Sequence, residues 1–253
     1  MAFERLERFI DLDVKYTTQG ALAISAGDQP AEIVESPVIK LGGKPVIPGS
    51  SLKGALRSTL ESMLAAQGVE VCVPFAAIPR PQRRDREREN YLRKIGRKGP
   101  CEDMDNLCPV CSIFGAMGGR RGLMGRALFL DATTEEGHYE LIERSHVAIM
   151  RDTKSQSDGS LMTIEAVDAG AVFQGTIRLV NPEDWQVGAV VRALEGVAML
   201  GMGGKKTAGY GSLAHEITSV TETRFADGEW KSTPVSLDGF TAAFAQEYRG
   251  VRA

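Results

Sequence analysis

An α+β domain is what this sequence predicts, and three observations carry it. Residues 9–16 alternate strictly, with Ile10, Leu12, Val14 and Tyr16 on one side and Asp11, Asp13 and Lys15 on the other. That is the period of a half-buried strand. Leu52, Leu56, Leu60, Met63 and Leu64 recur at helical spacing, and so do Val187, Val190, Val191, Leu194, Val197 and Ala198; each set marks the apolar stripe of an amphipathic helix. Further strand-like runs fall at 126–131, 139–150, 171–180 and 212–220. The order strand, helix, strand, strand, helix, strand is that of a ferredoxin-like or RRM-type domain, here with large insertions in a single body spanning 1–253.

The elements follow in order. Ala21 to Ser25 can continue the first strand past Gly20, and a loop punctuated by Gly27 and Pro30 comes next. Gly42-Gly43-Lys44-Pro45 reads as a hairpin turn. Pro48-Gly49 is a turn dipeptide that opens directly into the first helix, where Ser50 or Ser51 can cap the first backbone N–H groups. Lys53 and Arg57 stand one turn apart on the wet side, opposite the apolar stripe. Gly54 costs about 1 kcal/mol relative to alanine, which points to close approach by a ligand or by another backbone. A capped helix start with free N–H groups, two hydroxyls and a lysine is a phosphate seat; an ordinary surface helix would carry the same residues.

Residues 67–125 lack sustained periodicity and hold an arginine-rich run, all four cysteines and many glycines. The part at 82–95 reads as a short solvated helix. So long an irregular insertion is functional, metal-stapled or partly disordered. Beyond it, Glu135-Glu136-Gly137 separates two strands, and 151–170 is a polar hairpin or loop with a turn at Ser157-Asp158-Gly159-Ser160. Pro182-Glu183-Asp184 starts the second helix, with proline and acids placed as a helix N-terminus prefers. A glycine loop at 201–211, a turn at Ala226-Asp227-Gly228 and a terminal helix near 238–248 complete the chain.

Thirty basic side chains stand against 33 acidic ones, a net charge of −3. Taken whole, that argues against nonspecific nucleic-acid binding. The basic residues are uneven, however: Arg80, Arg83, Arg84, Arg86, Arg88, Arg93, Lys94, Arg97 and Lys98 crowd one segment, so a local basic face remains compatible with holding RNA. No run approaches transmembrane length, and the charged start is unlike a secretory signal. The expectation is a cytoplasmic protein without membrane partners, in which the cysteines stay reduced.

Cys108 and Cys111 make a C-x-x-C, the bite that puts two thiolates on one tetrahedral ion. Cys101 is near in sequence, and Cys72 returns across a long loop. Together they read as an embedded structural zinc site; buried free cysteines are the alternative. The glycine loop fails as a nucleotide-binding P-loop, since Lys206 occupies the Ser/Thr position and the loop follows a helix. Its exposed N–H groups beside Lys205 and Lys206 still suit a phosphodiester, and a tight turn would need the same glycines. His138, His146 and His215 are dispersed, and no Ser-His-Asp arrangement can be argued.

Five stretches, taken in order, resemble the RAMP superfamily. They are Glu35-Ser36-Pro37-Val38-Ile39-Lys40; Pro48-Gly49-Ser50-Ser51-Leu52-Lys53-Gly54-x-x-Arg57-Ser58; Cys108-Pro109-Val110-Cys111-Ser112-Ile113-Phe114-Gly115; Arg151-Asp152-Thr153-Lys154; and Gly203-Gly204-Lys205-Lys206-Thr207-Ala208-Gly209-Tyr210-Gly211. More narrowly the chain is similar to the repeated backbone subunit of type III CRISPR effector complexes. The resemblance implies an RRM-like fold, zinc-binding insertions in parts of the family, and partners that are guide RNA, target RNA and further RAMP subunits or copies of the same chain.

Carried over residue by residue, it puts the helix start (Ser50, Ser51, Lys53, Arg57) and the glycine loop (Gly203, Gly204, Lys205, Thr207, Gly209, Tyr210) against guide RNA. It makes 144–173 a protruding thumb with its tip near Ser155 to Met162. There Leu161 and Met162 would be apolar wedges, and Arg151 and Lys154 phosphate contacts. An aspartate just before Ser-Pro cuts target RNA in the resembled subunit. Here Glu35 holds that position, with Asp28 earlier in the same loop. Such a carboxylate can bind Mg or another divalent cation, or deprotonate a 2′-hydroxyl; a solvated loop acid would read the same. The expected function is guide binding in a type III interference complex, with target cleavage at regular intervals left open. The alternatives are a stand-alone RAMP endoribonuclease that processes the guide precursor, tested at His146 or His138, and a zinc-stabilised scaffold that does not touch RNA.

Overall fold

A computed structural model describes residues 4–25, 34, 36–74, 85–103, 105–118, 121–157 and 159–249. In chain order β1 (Arg8–Thr18), β2 (Lys40–Leu41) and β3 (Lys44–Ile47) precede α1 (Gly49–Ala66). The insertion holds α2 (Asp85–Lys94), α3 (Pro109–Phe114) and the hairpin β4 (Gly115–Gly118) and β5 (Arg121–Met124). There follow β6 (Ala127–Phe129), β7 (Ala132–Thr133), β8 (Leu141–His146), β9 (Met162–Val167) and β10 (Val172–Val180). Then come α4 (Asp184–Leu200), β11 (Leu213–Ala226), β12 (Glu229–Pro234) and α5 (Asp238–Glu247).

The main sheet runs β12-β11-β1-β10-β7-β3-β2, with β6 also on β10. Its central part, β11-β1-β10-β6, pairs antiparallel throughout, which is the ferredoxin-like order of fourth, first, third and second strands. The alternation in β1 decides the inner face. Ile10, Leu12, Val14 and Tyr16 are buried, opposite Leu179, Ile177, Gly175 and Phe173 of β10. Leu52, Leu56, Leu60 and Leu64 of α1 and Val187, Val190, Val191, Leu194 and Val197 of α4 join the same core. At Gly196 a side chain would collide with Thr59, so the two helices cross closely there.

The middle of the opposite face of the sheet is knit by charged and polar pairs. Arg178 grips Asp11 with two 2.7 Å bonds, Asp13 accepts from Thr176 and Ser219, and Lys15 pairs with Glu216. At one end of this face Phe9, Trp230 and Phe225 cluster, with ring centroids 5.1 Å apart, Arg178 lying over Phe9 and the Phe225 and Trp230 side chains about half exposed; aromatic rings so placed are of the kind with which RRM sheets stack bases.

Several local expectations are corrected. Neither serine caps α1: Pro48 is its N-cap with no side-chain bond, and the Asp131 carboxylate accepts from Gly49 N at 2.7 Å. The helix start is thus already served by an internal acid. Gly49 is required there because a Cβ would overlap the Phe129 carbonyl. The space above Gly54 is open, so no backbone among the described residues explains that glycine. Ala21 to Ser25 does not extend β1 but runs as isolated bridges to Val167 and Val38. The stretch read as irregular holds two helices and a hairpin, and β11 continues six residues past Val220 to pair with β12, which weak alternation had hidden. At α4 a full capping box joins Glu183 and Gln186, as the acids there predict.

Candidate nucleic-acid interface and metal centre

The glycine loop is built from backbone. Met202 N donates to Gly211 O, Gly204 N to Ala23 O and Gly211 N to Ala21 O, at 2.8–2.9 Å. These bonds fold the loop onto the extended segment 21–25. Gly203 and Gly211 both take positive φ, and a side chain at either would strike the carbonyl of Ala23 or of Met202. Gly203, Gly204, Lys205, Lys206, Thr207 and Gly209 are all exposed to solvent. Lys205 itself adopts the left-handed conformation, φ 55°.

Tyr210 behaves differently. Its ring is 3% exposed, in a small second core with Ala21, Ala23, Ile164 and Ala166. Its hydroxyl lies 2.8 Å from His146 Nε2 at the end of β8, and Arg144 lies over the ring, 5.4 Å from its centroid. His146, dispersed in sequence, is therefore part of the same assembly.

β8 and β9 form a separate two-stranded sheet. Beyond it Ile149 bridges Gln156, Met150 N donates no further than Ser155 O, and Lys154 N returns to Met150 O. The hairpin thus reverses at Arg151–Lys154 rather than near Ser155 to Met162, because a tight turn there closes the ladder early. Arg151 and Lys154 are exposed at this tip. Leu161 is 53% exposed, whereas Met162 packs against the second core. Val147, Ile149 and Met150 add exposed apolar surface that sequence reading missed.

The segment after Glu35 joins the base of this hairpin. Ser36 is buried, its carbonyl accepts from Glu165 N at 3.1 Å, and its hydroxyl meets that of Ser25 at 2.6 Å. Glu165 in turn accepts from Val38 N and Lys40 Nζ. Glu35 and Asp28 themselves lie outside the described residues, as does much of the arginine-rich run, 75–84.

Around α1, Lys53 is half-buried; burial, then the charge of Arg57, lowers its pKa. Ser50 is exposed and Ser51 half-buried. Arg57 is not on the wet side. Its guanidinium donates to Glu61 at 2.9 Å, to the Gly115 carbonyl at 2.8 Å and to Cys111 Sγ at 3.3 Å. The folded insertion covers that face of the helix, which helical spacing alone does not reveal.

The insertion closes around sulfur. Ligand atoms of Cys72, Cys101, Cys108 and Cys111 all lie within 4.8 Å of one another. Cys72 and Cys111 sulfurs are 3.3 Å apart, Cys72 and Cys108 3.6 Å. These spacings are far beyond a disulfide bond and close to the edge of a tetrahedron with metal–sulfur bonds of about 2.3 Å. Cys108 is the N-cap of α3 with Pro109 following, so the C-x-x-C bite is set by the first turn of that helix. Hydrogen bonds to Cys111 and Cys72 hold the Cys108 thiol below its usual range, and the contact with Cys108 pushes both Cys72 and Cys111 up. Thiols crowded this closely cannot all ionise without a cation between them. The donor set fits a structural divalent metal, and zinc is compatible with it.

A family model of the RAMP superfamily matches residues 15–214. The chain belongs to the RAMP superfamily. As a RAMP protein it is CRISPR-associated and RNA-binding in the general sense of that family, whose members bind CRISPR RNA and partner with Cas proteins. No curated protein matches the chain. No helix among the described residues is long and apolar enough to cross a membrane.

Proposed function

We propose that this RAMP protein is the guide-RNA-binding backbone subunit of a type III CRISPR effector complex, stacked head to tail along the guide. The observation that carries the proposal is a convergence. The glycine loop, the segment following Glu35 and the root of the β8–β9 hairpin meet on one small core around Tyr210 and Ile164. Lys205, Lys206 and Thr207 are exposed at that junction, and the hairpin that leaves it exposes Val147, Ile149, Met150 and Leu161. A phosphodiester chain held at the loop would pass the hairpin, whose Leu161 is free to part stacked bases. Lys53 and Gly54 add an open, basic helix surface. Head-to-tail copies of one chain give open, repeating assembly.

Glu35 and Asp28 are the proposed source of target-RNA cleavage, through a divalent cation or by deprotonating a 2′-hydroxyl. Glutamate is longer than aspartate by one methylene, and catalytic placement tolerates about 1 Å, so the two carboxylates are tested separately. Zinc is the proposed resident of the four cysteines, with a structural role. The guide-processing alternative is tested at His146, whose Nε2 meets the Tyr210 hydroxyl, and at the exposed His138.

The test is nuclease footprinting of the assembled complex on its guide, followed by target cleavage with native protein, Glu35→Ala and Asp28→Ala. The expected results are protection in regular steps and evenly spaced products that vanish in one variant. A single cut at one repeat position would favour guide processing, and unprotected guide would overturn the proposal.

A further inference from the structure

The signature helix carries an arginine that faces sulfur. Arg57, three residues beyond Gly54, donates once from each guanidinium nitrogen, to Glu61, the Gly115 carbonyl and Cys111 Sγ. Arg97 donates to the carbonyls of Val71 and Cys72, and its guanidinium lies 3.5 Å from the same Glu61. Glu61 is only 8% exposed and takes one arginine on each oxygen. The two arginines and one glutamate thus form a bracket that touches Cys111 directly and Cys72 through its backbone.

Charge supplies the reason for such a bracket. Four thiolates around one divalent cation leave a net charge of about −2, and burying that charge unpaired is costly. Two guanidiniums less one carboxylate return one positive charge to the site. Groups that hold ligands from outside typically change metal affinity ten- to a hundredfold when removed.

We infer that Arg57 is a positioning residue of the metal centre, orienting Cys111 and offsetting the charge of the thiolate cluster, and that it ties the RAMP signature helix to the cysteine insertion. This rests on the metal reading of the four cysteines. Arg57 therefore acts on the thiolate ligands rather than on RNA phosphates, and its loss disturbs guide binding only through the centre.

The experiment is competition for zinc against a chromophoric chelator, with cobalt(II) absorption reporting thiolate ligation, on native protein, Arg57→Gln and Arg57→Lys. Arg57→Gln is expected to weaken zinc ten- to a hundredfold and to move the thiolate-to-cobalt band, with Arg57→Lys falling between it and native. Unfolding temperatures with and without zinc separate this from plain packing. A loss that is larger with zinc than without supports the inference; an equal loss, or unchanged zinc affinity in Arg57→Gln, overturns it. Should Arg57→Gln not fold, Arg57→Lys decides, since it keeps the charge but loses the fork, and unchanged affinity there overturns the inference as well. Native protein that takes up neither zinc nor cobalt would instead refute the metal reading beneath it.

Discussion

His146 Nε2 and the Tyr210 hydroxyl meet at 2.8 Å, joining residues 64 apart in sequence. That bond ties the root of the protruding hairpin to the end of the glycine loop, so the two parts proposed to grip and to wedge nucleic acid share one anchor. Tyr210→Phe keeps the ring in its pocket and removes only the hydroxyl. The expected loss is about 1 kcal/mol, read by urea denaturation, with Tyr210→Ala costing about 3–5 kcal/mol as an emptied core site does. A Tyr210→Phe protein as stable as native would show that the bond contributes nothing.

Two glycines of the same loop separate packing from surface. Gly211 has φ +82° and its missing side chain would strike Met202, while Gly209 has φ +87° with open space above it. Gly209→Ala carries the left-handed penalty alone, about 1–2 kcal/mol; Gly211→Ala adds a backbone clash and is expected to exceed that. Thermal melts of the two variants check the order, and equal losses would contradict the tight loop described here.

Asp131 serves the first N–H of the signature helix from a distant part of the chain. Asp131→Ala should cost about 1 kcal/mol, within the usual range for an N-cap, and Asp131→Asn less, because the amide oxygen can still accept from Gly49 N. Ser50→Ala should leave stability within about 0.5 kcal/mol, as surface changes do. A larger effect at Ser50 than at Asp131 in chemical denaturation would reverse the assignment.

Metal removal has a visible signature. With zinc bound, the four cysteines should resist a thiol-reactive dye; after chelation all should react, with a fall in unfolding temperature. Acid should release the metal as well, since protons compete for thiolates. Thiols equally reactive before and after chelation would mean that no metal binds them.

Much of this was legible in the residues. The alternation of Ile10 to Tyr16 and the stripes of Leu52 and Val187 located the central strand and both core helices, because each element buries one face and writes its period into the chain. C-x-x-C spacing, with Cys101 near and Cys72 across a loop, pointed to the four-cysteine cluster that the structure brings within 4.8 Å. What escaped were effects of tertiary contact. Arg57 looks solvated on a helical wheel and is covered only because the insertion folds back. The acceptor for the first N–H of that helix lay with Asp131, 82 residues from Gly49, beyond any local signal. Tyr210 reads as a loop aromatic, yet its ring is core and its partner His146 sits on another element. β12 is exposed along its whole length, so it carries no burial pattern to read.

The most direct measurement is RNA binding against salt for native protein and for Lys205→Ala/Lys206→Ala, using a guide-bearing RNA and filter retention. The glycine loop's clasp should give native affinity that falls steeply with ionic strength, and the double variant should lose affinity and about 1.4 from the log–log slope, at about 0.7 per phosphate contact on a single strand. Melting should be little changed, because both lysines are exposed. An identical slope in the two proteins, or no retention of guide RNA by the native chain, would contradict the grip placed at this loop.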